Sequence, residues 1–148
     1  MRLRNVKGSK EIIESSYEEM KNNVTPKFNI CLSEYIDKIS GGKYNNIKIN
    51  DGIQVELANG KLIPIEKLSE GTIEQIYLAL RLSVIDQISK EKLPIFLDET
   101  FAYYDDERLA ATLKFINSVQ NQAIIFTCTN RETEILEQLG IEYNLIGL

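Results

Sequence analysis

The sequence predicts an α/β fold: a mostly parallel sheet with flanking helices, preceded by an antiparallel hairpin. Three observations carry that expectation. Between residues 43 and 66, the runs YNNIKI and IQVEL alternate polar with apolar side chains, the two-residue period of strands with one wet face. From Pro94 onward, short apolar runs alternate with helical ones, an order that gives parallel strands joined by right-handed crossovers. The chain has 148 residues, 43% of them hydrophobic, with only three prolines and eight glycines, which suits one domain with a packed core.

Taken in order, Ile12, Ile13, Tyr17, Met20 and Val24 keep helical spacing in a charged background and predict an amphipathic helix. The start, MRLRNVKGSKEII, has basic residues without an apolar run behind them and is not read as a signal peptide. Thr25-Pro26 supplies an N-cap and a first-turn proline for a second helix, with Phe28, Leu32, Tyr35, Ile36 and Ile39 on one face and Gly41-Gly42 as its stop. Asp51-Gly52 between two alternating runs is a hairpin signal, and Asn59-Gly60 marks a further turn before KLIPI. The helix expected over Thr72–Ile88 has a stripe of Ile73, Ile76, Tyr77, Leu80 and Val84. Leu78, Ala79 and Leu82 make its other face apolar, so it is expected to be largely buried. A strand over residues 94–97, a helix over Asp106–Val119, a strand over residues 123–127, a helix over Arg131–Leu139 and a last strand over Ile141–Leu148 complete the reading.

A net charge of −5 argues against a free-standing nucleic-acid binder, which needs a basic face. The absence of histidine removes the commonest metal ligand, and Cys31 and Cys128 are too far apart for a CxxC zinc site. No stretch approaches the roughly 20 apolar residues of a membrane span, and a cytoplasmic setting is expected.

Two stretches carry chemistry. In LPIFLDE an apolar strand ends in Asp98-Glu99, at the carboxyl end where open parallel sheets collect their ligands. A carboxylate there can hold a hydrated magnesium ion, and its neighbour can orient or deprotonate a water. In KLSEGTIEQ, Ser69 and Gly71 stand where a helix begins. The first N–H groups of a helix are unpartnered, its dipole favours an anion, and glycine permits close approach. Ordinary readings stand beside both: a strand leaving the core, and a serine N-cap.

In combination these stretches resemble a known family. LSEGT, an apolar helix, a strand ending in Asp-Glu and an Asp six residues past the Glu are similar to the C-terminal half of an ABC-type P-loop ATPase head. The likeness is to SMC-like, coiled-coil ATPases of the SbcC and YhaN kind and covers residues 25–148. On that resemblance LSEGT is the signature motif, IFLDE the Walker B strand and YYDDERL the D-loop, and IIFTCT occupies the switch position. The resemblance implies ATP and Mg2+ as cofactors. Asp98 would serve the metal, and Glu99 and Thr129 would be catalytic. Leu68, Ser69, Glu70, Gly71, Thr72, Gln75 and Asp105 would meet nucleotide, partly across the interface with a second head.

The phosphate loop GxxxxGK[ST] is not in this chain: neither Lys43 nor Lys61, the only lysines after glycine, is followed by Ser or Thr. The family carries that loop on an N-terminal lobe beyond a long coiled coil. The chain is therefore expected to be half a head, with residues 1–24 ending the returning coil and residues 25–148 forming the lobe. Expected partners are the Walker A lobe, a second head, DNA and a nuclease-like or other subunit. Thr129 replaces the family's usual histidine, a group that carries charge near neutrality as a hydroxyl does not. The alternative is a non-catalytic clamp or partner-binding module with weak or no turnover.

Overall fold

The computed structural model describes residues 25–49, 53–89 and 91–147. The helix expected before residue 25 and the Asp51-Gly52 turn lie outside those residues. Helix α1 (Thr25–Ile39) buries Leu32, Tyr35, Ile36 and Ile39 of the predicted stripe, with Phe28 partly buried against them. It ends because Gly41 and Gly42 take positive φ, letting the Gly42 amide return to the Asp37 carbonyl at 2.8 Å. Strands β1 (Tyr44–Ile49), β2 (Ile53–Leu57) and β3 (Leu62–Pro64) form an antiparallel sheet in the order β1-β2-β3. Ile47 stands opposite Val55, and Val55 opposite Ile63. Ile47 and Val55 go into the core while Lys48 and Gln54 stay in water, as alternation requires. Tyr44 also turns inward, out of phase with Ile47, because a bulge shifts the register between Tyr44 and Asn46.

After a 3-10 turn (Ile65–Lys67) comes α2 (Glu70–Ile88). Its buried line is Thr72, Gln75, Ile76, Leu78, Ala79, Leu82 and Ser83. The expected stripe is corrected here: Tyr77 is 41% and Val84 38% exposed. With apolar residues on both sides, periodicity could not choose a face. Small residues let α2 pack against α1, and its buried polar groups find backbone acceptors. Gln75 Nε2 donates to the Ile39 carbonyl at 2.9 Å and Ser83 Oγ to the Ala79 carbonyl at 2.7 Å.

Strands β4 (Ile95–Asp98) and β5 (Ala123–Phe126) pair in parallel, Ile95 beside Ala123 through Asp98 beside Phe126. Between them runs α3 (Asp106–Val119), which buries Leu109, Leu113, Phe115 and Ile116. Ile95 and Leu97 face the shared core, whereas Phe96 on the other face is 66% exposed. Helix α4 (Arg131–Leu139) follows and stops at Gly140 with φ 66°. The strand expected over residues 141–148 is a correction. Residues 141–147 pair with no strand among the described residues, and Leu145 and Ile146 lie in solvent. A run of strand-forming side chains becomes a strand only where a partner edge meets its backbone groups. Among the described residues no helix is long and apolar enough to cross a membrane.

Candidate functional site

Asp98 and Glu99 stand at the carboxyl end of β4, both exposed. The Glu99 amide still donates to the Phe126 carbonyl at 3.0 Å, continuing the ladder one step beyond the strand. Then the backbone turns, and Glu99 is the one non-glycine residue with positive φ (46°) among the described residues. Such a conformation costs an L-residue about 1–3 kcal/mol and persists only where surroundings enforce it. The turn aims the carboxylate across the strand ends, where Oε1 accepts from the Cys128 amide at 2.9 Å. The Glu99 carboxylate, by hydrogen bonding and by its charge, holds the exposed Cys128 thiol above its usual pKa.

Thr127, Cys128 and Thr129 leave β5 beside this carboxylate. Two hydroxyls converge on one buried oxygen: Thr129 Oγ1 donates to Glu132 Oε2 at 2.8 Å and Thr127 Oγ1 at 3.0 Å. Glu132 is only 5% exposed and sits in the first turn of α4, where the helix dipole favours its charge. The Thr129 amide donates to Thr127 Oγ1 at 3.2 Å, closing the loop on itself. Thr129 thus has its proton committed to Glu132, and its oxygen remains as an acceptor.

The second cluster surrounds the start of α2. Ser69 is the N-cap residue without a capping bond from its side chain; its Oγ lies 2.9 Å from Thr72 Oγ1. Thr72, 1% exposed, also meets the Tyr44 hydroxyl at 3.3 Å and accepts from Arg108 Nη2 at 3.5 Å. Gly71 is buried for a reason other than the expected one. A Cβ there would come within 2.4 Å of the Tyr103 carbonyl oxygen, so the missing side chain makes room for the chain's own loop. Asp105 caps α3 by accepting from the Arg108 amide at 2.9 Å and pairs with the Arg108 guanidinium at 3.0 Å.

The clusters meet through residues 100–105. Arg131 reaches from the first turn of α4 and donates to the carbonyls of Phe101 at 2.6 Å and Tyr104 at 2.7 Å. Phe101 and Tyr104 are buried beside one another, and burial pushes the Tyr104 phenol well above its usual pKa, with Glu74 adding to it.

The expected site residues therefore fall into two groups with one outlier. Asp98, Glu99 and Thr129 gather at the strand ends. Ser69, Glu70, Gly71, Thr72 and Asp105 gather at the α2 terminus, with Leu68 half-buried behind them. Gln75 stands apart, its amide bonded to α1 in the core. Glu132, Arg131 and Arg108 were not singled out in the sequence. An acid at Glu132 reads as helix-dipole complement, and nothing local tells that its side chain turns inward.

Among the described residues no cluster of three or more His, Cys, Asp or Glu side chains is arranged to hold a metal, so a magnesium ion at Asp98 would depend on ligands from elsewhere. The Asp98 carboxylate is exposed and has no hydrogen bond or ion pair among the described residues. Magnesium asks for one or two carboxylates and completes its shell with phosphate and water.

No protein-family profile matches the chain. It is 30% identical over 126 residues to the uncharacterized protein YhaN of Bacillus subtilis (strain 168), a match spanning 80% of this chain and 13% of YhaN. Among solved structures it is similar to the Smc head domain of Pyrococcus furiosus, crystallised with an extended coiled coil and the C-terminal domain of ScpA. That match has 19% identity and TM-score 0.63, covering 87% of this chain and 35% of that one. The SMC head domain of Thermotoga maritima gives 18% identity and TM-score 0.60, over 79% of this chain and 43% of that one. A further SMC ATPase, studied for ATP-driven dimerization and DNA-stimulated activation, gives 18% identity and TM-score 0.63 over 80% and 76%. The chain has the fold of the C-terminal lobe of an SMC-like ATPase head.

Proposed function

With an SMC-type head lobe as the premise, we propose that this chain supplies the signature motif, the magnesium aspartate and the hydrolytic glutamate of an ATPase that turns over when two heads close on ATP. The observation that carries this reading is Glu99. It is exposed, held at positive φ directly after the Asp98 strand end, and oriented by the Cys128 amide. A carboxylate so fixed can accept a proton from an attacking water: Oε1 is anchored by the Cys128 amide, and the exposed side chain keeps further lone pairs to accept with. Asp98 would hold magnesium, which when bound neutralises phosphate charge. Ser69 and the first amides of α2 would meet the γ-phosphate carried by the opposite head, with Asp105 between the two sites.

Completion by a second lobe has its own support. A parallel sheet needs both faces covered, yet β4–β5 has two strands and exposes Phe96 and Phe126. The Walker A lobe is the proposed cover, with residues 1–24 ending the coil that leads to it. A role in DNA repair or chromosome processing, a nuclease-like or other subunit as partner, and action in the cytoplasm complete the proposal.

One observation favours the alternative of a clamp with little or no turnover. The Thr129 proton is given to Glu132, which leaves no donor at that position for a phosphate.

The test is a complete head, this chain joined to its Walker A lobe. Glu99→Gln keeps an oxygen for the Cys128 amide but removes the base. Turnover is expected to fall about 10²–10⁴-fold while ATP binding persists and ATP-bound dimer accumulates. Wild-type turnover in the variant would remove Glu99 from catalysis. A wild-type head that dimerises on ATP without hydrolysing it would select the clamp.

A further inference from the structure

The residue that joins the two clusters is Arg131, and what it holds is backbone. Its Nη2 donates to the Phe101 carbonyl at 2.6 Å, and its Nη1 to the Tyr104 carbonyl at 2.7 Å. The Phe101 carbonyl also accepts from the Tyr104 amide at 3.0 Å, so one guanidinium closes over a tight turn. Charged bonds to carbonyls in a forked geometry fix direction as well as distance. On one side of that turn, the Ala102 amide bonds to the Glu99 carbonyl at 3.3 Å. On the other, the Tyr103 carbonyl lies against Gly71 so closely that no side chain could stand between them. Arg131 itself follows directly on the Thr127–Asn130 loop, whose Cys128 amide holds the Glu99 carboxylate.

We propose that Arg131 is a positioning residue that makes the loops 100–105 and 127–130 move as one body. Displacement at the α2 terminus and Asp105 is thereby carried to the Glu99 carboxylate. The inference rests on the head reading, because it is the approach of a second head that would press on Ser69 and Asp105. Its physical content is a continuous chain of contacts: Gly71 to Tyr103, Tyr104 and Phe101 to Arg131, and the preceding loop to Glu99. The links are charged or backbone hydrogen bonds, together with one close approach of backbone to backbone at Gly71 and Tyr103. Arg131 thus sets how Glu99 responds to closure without touching nucleotide or water.

Arg131→Met keeps the length of the side chain and removes its donors; Arg131→Lys restores one charged donor without the fork. In the complete head, ATP turnover is measured against ATP and against head concentration, together with amide hydrogen exchange in the absence of nucleotide. For Arg131→Met, KM for ATP is expected to stay within about twofold. The maximal rate reached at high head concentration is expected to fall about tenfold or more. Amides of 100–105 are expected to exchange faster while those of β1 and β2 do not, and Arg131→Lys is expected to recover part of the rate. An unchanged maximal rate would overturn the proposal. So would faster exchange throughout the fold with KM and rate lost together, which would mark Arg131 as a residue of general stability. If wild-type heads show no turnover at all, the ATPase reading falls first and this role for Arg131 with it. The wild-type control separates that failure from failure of Arg131 alone.

Discussion

At the start of α2 the buried polar hub is Thr72, a neutral hydroxyl; at the start of α4 it is Glu132, a carboxylate. Thr72 gathers Ser69, Tyr44 and Arg108 around one oxygen, and Glu132 gathers Thr127 and Thr129. The difference is one of direction. A hydroxyl has one donor and two acceptor positions, so Thr72 can exchange roles with Ser69 as the surroundings change. A carboxylate only accepts, so Glu132 fixes the protons of both threonines toward itself. At the α2 end either hydroxyl of the Ser69–Thr72 pair can be the donor, so its protons are not fixed in one direction. The α4 end presents an oxygen acceptor at position 129 and holds it there.

The sharpest way to break this contrast is at Ser69, the exposed member of the adaptable cluster. In a complete head carrying Glu99→Gln, Ser69→Arg is expected to leave ATP binding to a single head intact and to abolish the ATP-dependent dimer. Size-exclusion chromatography with ATP checks this, because bulk at the helix start obstructs a second head. A persisting dimer would reduce LSEGT to an ordinary helix beginning.

Gly71→Ala tests the close packing beneath that cluster. Alanine is the better helix former by about 1 kcal/mol, yet its Cβ would stand 2.4 Å from the Tyr103 carbonyl oxygen, and that neighbour is backbone. Overpacking is expected to win, with a net loss of about 1–3 kcal/mol in urea denaturation. A neutral or stabilised variant would show that the 100–105 loop is free to retreat, and would weaken the argument built on Arg131.

The smallest effect belongs to the carboxylate-directed cluster. Thr129→Ser keeps the bond to Glu132 and is expected to behave nearly as wild type. Thr129→Val and Thr129→Ala lose the bond to Glu132 and with it about 1 kcal/mol of stability, read in urea denaturation. Thr129→His would put an imidazole beside Glu132, which favours its protonated, donating form, and turnover is expected to rise tenfold at most. Equal steady-state rates across all four variants would show that position 129 lies away from the phosphate.

Much of the described fold was legible because its signals are local and periodic. The face of α1, the alternation in β1 and β2, the Gly41-Gly42 stop and the helices around β5 all follow from side-chain spacing that a single element imposes. The failures are of another kind. Tyr77 and Val84 lie on an apolar stripe of α2 that the sequence treats like its buried one, and only packing against α1 chose between them. Residues 141–147 have strand-forming side chains, but a strand is a property of two edges.

The candidate site divides along the same line. Residue type and order alone determined that Asp98-Glu99 ends a strand, that Ser69 and Gly71 begin a helix, and that Thr129 stands after the next strand. These are positions along a chain, and short motifs record them. Tertiary structure decided what each position faces: Gly71 a carbonyl of its own loop, Gln75 the end of α1, and Thr129 a buried carboxylate three residues on. It also decided that Arg131 reaches two carbonyls nearly thirty residues before it in the chain. Bonds to backbone carbonyls leave no trace in side-chain pattern, because every residue carries the same acceptor. Only the folded path of the chain determines which carbonyls come within reach.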